Sequence, residues 1–376
     1  MSLVFKVLGI LLISVALAIG IVLLLNWSIG SSWGWLPFIN GDLSEPKIES
    51  FVPPAPGSSG PYISHTYEWK YEQASTWPLG GTTHSFSLTL NAPQQLYDWY
   101  RGLERVPDPN YSVYVSNPSD DQFLQTVADE LSRLAHEKGF NSDETLVNFV
   151  ASFGQAGGAM SYQLEGAEGE YPKYPLETLA DGGGDCEDTS ILLAAILELM
   201  GRDVVLINFP PASDAEAGHM GVGVVGQLSG THFSYNSKSY YYLETTNSTY
   251  RVGVMPEEYK TTSATLYALE PIPLLKFYGQ YSWKTVENVV HHDRTVTLNM
   301  TVRNWGTAAT EGAYVQASYD EQHWQQSDYF NLNMGDESSN IQVKVTVPQG
   351  QNEIAVHLIY NGITVDQAEV DLQKTS

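Results

Sequence analysis

The chain opens with a stretch in which apolar positions alternate with nothing. From Val7 to Leu25, nineteen residues pass without a charge, directly after Lys6. As a helix rising about 1.5 Å per residue, that run spans roughly 30 Å of hydrocarbon. It exceeds the core of a signal peptide, roughly 7–15 residues, and no A-x-A site follows it. Trp27, Trp33 and Trp35 come next, where an anchor would leave the bilayer. Lys6 and the amino terminus are the positive charges at hand. They put residues 1–6 in the cytoplasm and the residues after Asn26 outside. A transmembrane helix within residues 1–30 is predicted, with cleavage near Gly30 as the alternative.

A spacer is predicted over 31–63. It carries Pro37, Pro46, Pro53, Pro54 and Pro56 and ends in Gly57, Ser58, Ser59 and Gly60. His84 to Leu90 then alternates with period two, a strand pattern. Ser119 and Gln122 read as a capping box ahead of an apolar face of Phe123, Val127, Leu131 and Leu134, and Gly139 ends that helix. A second helix is predicted after Ser142, with Leu146, Val150 and Phe153 inward. Residues 157–184, rich in Gly, Pro and Tyr, read as a loop. From Cys186 to Met200 the chain is apolar on nearly all sides after Ser190, which predicts a buried central helix between Gly184 and Gly201. Strands follow at Asp203 to Asn208, His219 to Leu228 and Ser239 to Thr245. Helices followed by strands make the body α+β.

From about residue 284 the period changes. Val296, Leu298, Met300 and Val302 alternate with polar residues, as do Ile341, Val343, Val345 and Val347, then Ile354, Val356 and Leu358. Asn361-Gly362 is a two-residue hairpin signal. Short strands at such spacing predict an immunoglobulin-like β-sandwich over 284–376.

Composition narrows the function. The 43 acidic and 18 basic residues leave a net charge of −25, which disfavours nucleic acid as a partner. One cysteine, Cys186, excludes a disulfide-stapled scaffold, and the absence of CxxC and HExxH disfavours zinc. The triplets beginning at Asn110, Asn247 and Asn299 are glycosylation sequons, compatible with an external location.

Three residues suggest chemistry. Cys186 starts a buried helix, where the dipole and free N–H groups favour a thiolate. His219 opens a strand and is a candidate base. Glu244 ends an aromatic strand and wants a partner for a poorly solvated carboxylate. Cys, His and acid in this order form the set that nucleophilic acyl transfer needs. Each taken alone has a plain structural reading: a small buried thiol, a core histidine, a strand-end acid.

The run from Tyr174 to Leu193 around Gly184-Asp185-Cys186-Glu187-Asp188, then Gly218-His219-Met220, then Tyr242-Leu243-Glu244-Thr245-Thr246, resembles the transglutaminase-like superfamily, in its membrane-anchored archaeal and bacterial branch of cysteine peptidases. The resemblance covers roughly residues 65–265. It implies a papain-like domain over 64–275 in which Cys186 is the nucleophile, His219 the base, Glu244 the orienting acid and Gln155 an oxyanion donor. Many members carry Asp at the acid position. Val302-Arg303-Asn304-Trp305-Gly306 loosely resembles adhesion-type surface sandwiches, which implies a spacer without chemistry.

The expected function is an extracytoplasmic, membrane-anchored thiol enzyme acting on peptide or glutamine amide bonds of a protein or peptide substrate, with water favoured over an amine as acceptor. The alternatives are a non-catalytic surface binding module and a redox or metal-sensing protein. No cofactor and no metal are expected. Asp185, Glu187 and Asp188 suit a helix start yet oppose a thiolate beside them. A calcium site at Asp181, Asp185 and Asp188 is a lesser alternative whose spacing departs from an EF-hand.

Overall fold

The computed structural model describes residues 47–55, 57, 59–74, 81–164, 170–211, 218–288 and 290–373. The expected anchor and most of the expected spacer lie outside these residues. Among the described residues no helix is long and apolar enough to cross a membrane.

The body begins with a three-stranded sheet. β1 (Ile48–Val52), β2 (Tyr62–Gln73) and β3 (Thr82–Pro93) place β3 centrally, parallel to β1 and antiparallel to β2. Residues 48–52 therefore correct the spacer expected over 31–63: Val52 is buried and the segment completes a sheet edge. Then come α1 (Gln94–Arg101), α2 (Ser112–Val115), α3 (Asp121–Glu137), α4 (Asp143–Gly154), β4 (Ser161–Tyr162), α5 (Pro175–Asp181), β5 (Gly183–Gly184) and α6 (Cys186–Leu199).

The helix starts show where local signals hold and where packing overrides them. Ser142 caps α4 by accepting from the Thr145 N–H at 3.2 Å. The capping box expected at Ser119 and Gln122 does not form. Asp120 takes the cap position without a side-chain cap bond, because its carboxylate turns inward to the Tyr100 hydroxyl and the Leu176 N–H, at 2.9 and 3.1 Å.

A five-stranded sheet completes the body. β6 (Val204–Phe209), β7 (His219–Val224), β8 (His232–Tyr235), β9 (Lys238–Leu243) and β10 (Thr265–Ala268) lie in the order β10-β6-β7-β9-β8, each neighbour antiparallel. Helix α6 is buried on all faces, and Ile191, Leu192, Leu193, Ile196 and Leu197 join the main core. Burying each such side chain contributes about 1.5–3 kcal/mol, which holds the thiol-bearing end of α6 in place. The sheet is covered on both faces. Leu206, Val222 and Leu243 face the main core, while Val205, Ile207, Phe209, Tyr240 and Tyr242 form a second cluster behind. This accounts for the apolar run Val204 to Ile207 in β6.

The C-terminal region is all β. It starts earlier than residue 284, with β11 (Leu275–Phe277) and β12 (Ser282–Asn288) both pairing with β13 (Asp293–Asn304). β14 (Thr310–Ser318), β15 (Gln325–Gln326), β16 (Phe330–Leu332), β17 (Glu337–Pro348), β18 (Glu353–Tyr360) and β19 (Ile363–Asp371) follow. β17 adds to β13, and β14, β18 and β19 build the facing sheet. One core joins them: Val296, Leu298 and Val343 from one side, Val315, Val356 and Leu358 from the other. Asn361 and Gly362 both adopt positive φ, 51° and 74°, as a tight hairpin turn requires.

Candidate active site

Helix α5 ends at Gly182 in the left-handed region, with φ of 74°. Gly183 and Gly184 then pair in parallel with Ser161 and Tyr162. A side chain on Gly184 would overlap that of Asp188, so only glycine lets the chain fold back this tightly into α6. Asp185 takes the N-cap position of α6 without a side-chain cap bond, and Cys186 is the first helical residue. The Cys186 thiol donates to Glu187 Oε2 at 3.2 Å. The Met220 backbone, next to His219, favours the Cys186 thiolate.

Hydroxyls fasten this helix start to the strands. Ser190 donates to the Met220 carbonyl at 3.1 Å, and Thr189 and Ser190 meet the Thr245 hydroxyl at 3.0 and 2.9 Å. Thr245 also donates to the Cys186 carbonyl at 3.3 Å. The thiol is thus tied to residues adjoining His219 on one side and Glu244 on the other.

Strand register sets the second half of the site. β7 pairs Val222 with Leu243 and Gly223 with Tyr242; one step further puts Gly221 opposite Glu244. His219, Gly221, Tyr242 and Glu244 therefore share a face. Gly221 leaves room there: a Cβ would lie 2.7 Å from the Tyr242 ring. His219 Nε2 is 3.0 Å from Glu244 Oε2, and the Tyr242 hydroxyl donates to that oxygen at 2.7 Å while lying 3.3 Å from Nε2. Glu244 Oε1 accepts from the Thr245 N–H, the Thr246 N–H and the Thr246 hydroxyl at 3.0, 2.9 and 2.7 Å. The Tyr259 ring lies flat on the His219 ring, centroids 4.2 Å apart and planes 6° from parallel.

Gln155 is placed differently from the oxyanion role inferred for it. Its amide nitrogen donates to the Glu244 and Tyr250 carbonyls at 2.7 and 3.0 Å. Both amide hydrogens are spent on backbone, so Gln155 positions the acid loop and has none left for a substrate oxygen. Tyr242, Tyr259, Thr245 and Thr246 are site residues the sequence reading passed over. Tyr242 was detectable, two residues before Glu244 and hence on its face; nothing local marks Tyr259.

Charge divides the site in two. Burial opposes ionisation of Glu244, but its bond to His219 and those from Thr246 outweigh it and hold the carboxyl down at about 2. On the helix side, burial and the nearby Asp185 and Asp188 carboxylates push Glu187 well above the usual range. Burial, then the Glu187 charge and bond, likewise push the Cys186 thiol up. Buried atoms Asp185 Oδ1 and Glu187 Oε1 have no hydrogen-bond partner among the described residues. Asp185, Glu187 and Asp188 each offer an oxygen within 4.8 Å of the others, near enough to share one cation. Asp181 does not join them; it accepts from the Tyr97 hydroxyl and shares the Lys173 ammonium with Asp188, at 3.4 and 3.5 Å.

Cys186, His219, Asp185 and Glu187 line one open cleft of about 670 Å³, walled by Tyr111, Tyr162, Leu164, Pro210, Pro211 and Tyr267. No family model and no curated protein matches the chain. Among solved structures, Legionella pneumophila LapG (calcium-bound) aligns at 16% identity and TM-score 0.26, over 46% of this chain and 84% of that one. Red sea bream transglutaminase aligns at 10% identity and TM-score 0.23, over 83% and 78%. A glycoside hydrolase family 2 β-glucuronidase aligns at 9% identity and TM-score 0.22, over 44% and 22%. Similarities of this size do not assign a fold.

Proposed function

We propose that this chain is a thiol acyl-transfer enzyme of transglutaminase-like type, anchored by residues 1–30 with its body outside the membrane, and that it acts on peptide or glutamine amide bonds. The immunoglobulin-like sandwich would be a spacer. The observation that carries the reading is the His219–Glu244 pair at 3.0 Å, with His219 and Cys186 lining one cleft.

With Glu244 ionised, His219 Nε2 keeps its hydrogen toward the carboxylate, and Nδ1 is left as the base. The Cys186 sulfur adds to the substrate carbonyl carbon, and its proton passes to Nδ1. Backbone N–H groups at the start of α6 receive the developing oxyanion. Collapse expels the amine, which takes the proton from His219. Water, or a second amine, then releases the acyl group from sulfur.

The raised thiol favours a second reading, a binding module with an idle cysteine. The orphaned oxygens of Asp185 and Glu187 answer that point, because hard carboxylates at this spacing fit a divalent cation. Asp185, Glu187 and Asp188 would hold it. Bound there, such a cation neutralises the charges that oppose the thiolate.

The test is the rate of Cys186 alkylation against pH, with and without calcium. Labelling whose midpoint falls on adding calcium, and rises in His219→Ala, supports the enzyme. Labelling indifferent to both leaves the binding module as the function.

A further inference from the structure

Gln155 is committed to backbone carbonyls, so the oxyanion lacks the side-chain donor first assigned to it. Three phenols lie within electrostatic reach of the Cys186 sulfur: Tyr162, Tyr242 and Tyr259. The Tyr242 hydroxyl is spent on Glu244 and the Tyr259 ring is laid on His219. Tyr162 makes neither contact: it is 48% exposed and lines the cleft beside Cys186. Its backbone is in register with Gly184 and so two residues from the thiol.

We propose that the Tyr162 hydroxyl is the side-chain hydrogen-bond donor to the oxyanion, a role that rests on the acyl-transfer reading above. A phenol ordinarily titrates near 10, so at neutral pH it keeps its proton and remains a donor. In the step itself sulfur bonds to the carbonyl carbon and the C=O pair moves onto oxygen. Tyr162 and the α6 backbone bond that oxygen without releasing a proton. Collapse re-forms C=O and breaks the bond to the leaving group.

Two rates on the same purified chain separate this role from a structural one. p-Nitrophenyl acetate acylates Cys186 through an oxyanion and expels p-nitrophenolate. Iodoacetamide alkylates the same sulfur by displacement at a saturated carbon and forms no oxyanion. Tyr162→Phe removes only the hydroxyl. It should slow acylation about 100- to 1,000-fold while leaving alkylation within about twofold. Unchanged acylation, or both rates falling together, overturns the role. A wild-type thiol that alkylates yet never acylates overturns the enzyme reading and this role with it.

Discussion

Glu187 and Glu244 are buried to nearly the same degree, 3% and 1% exposed, on the helix side and the strand side of one site. Burial alone would raise both. Glu244 is nevertheless held at about 2, while Glu187 stands well above the usual carboxylate range. The difference is what each oxygen meets. Both Glu244 oxygens receive donors from His219, Tyr242, Thr245 and Thr246. Glu187 has one oxygen without a partner, and the other accepts from the thiol, with the Asp185 and Asp188 carboxylates close by. Donor count, not depth, decides the charge of a buried acid. The strand side is a finished acid–base pair, and the helix side is an unfinished one.

The largest effect should come from emptying the finished side. Glu244→Ala leaves an imidazole, a phenol and two backbone N–H groups without their acceptor. It should cost about 3–5 kcal/mol in urea denaturation. Glu187→Ala, which orphans only a thiol, should cost far less. Equal losses would break the contrast.

Next is completion of the unfinished side. Calcium at about 100 times its dissociation constant should raise stability by about 2.7 kcal/mol, reversed by chelator. Differential scanning calorimetry reads this as a rise in Tm that Glu187→Gln abolishes. No rise in the wild type would mean the carboxylates do not bind calcium.

The two acids should also slope oppositely with pH. Glu244, lowered in the folded state, contributes stability above about 4.5 that is lost as pH falls toward 2. Glu187, raised in the folded state, holds a proton that the unfolded chain has released, so stability declines as pH rises above about 4.5. Without added cation, Glu187→Gln should therefore stabilise by about 1–3 kcal/mol near pH 7 and by nothing near pH 4. A variant with the same gain at both values would place the cause in packing.

Much of this site could be read from the chain because its key signals are local. Cys186 heads a long run that is apolar all round, and His219 and Glu244 bracket strands whose aromatic and β-branched content marks them. What escaped was tertiary. Ser119 looked like a cap until Tyr100 and Leu176, distant in sequence, drew Asp120 inward. Gln155 looked like an oxyanion donor until its amide met two carbonyls about ninety residues on. Residues 48–52 carried no decisive period, and only the free edge of β3 made them a strand.

The smallest effect tests the contrast from within. Tyr242→Phe deletes one donor to Glu244, the hydroxyl 2.7 Å from Oε2, and leaves the His219 bond and the three donors on Oε1 in place. The ring stays buried in its cluster, so packing is preserved. One hydrogen bond to a charged acceptor with other partners should cost about 1–1.5 kcal/mol. If donor count sets the Glu244 charge, that loss also moves its carboxyl up from about 2 toward the ordinary range. The folded state then gains less from ionisation, so the deficit against wild type should be full above about pH 4.5 and shrink as the acid protonates. Urea titrations of both proteins from pH 7 to pH 3 read this directly. A deficit that stays constant across that range would assign the phenol to packing and take it out of the electrostatics of the site.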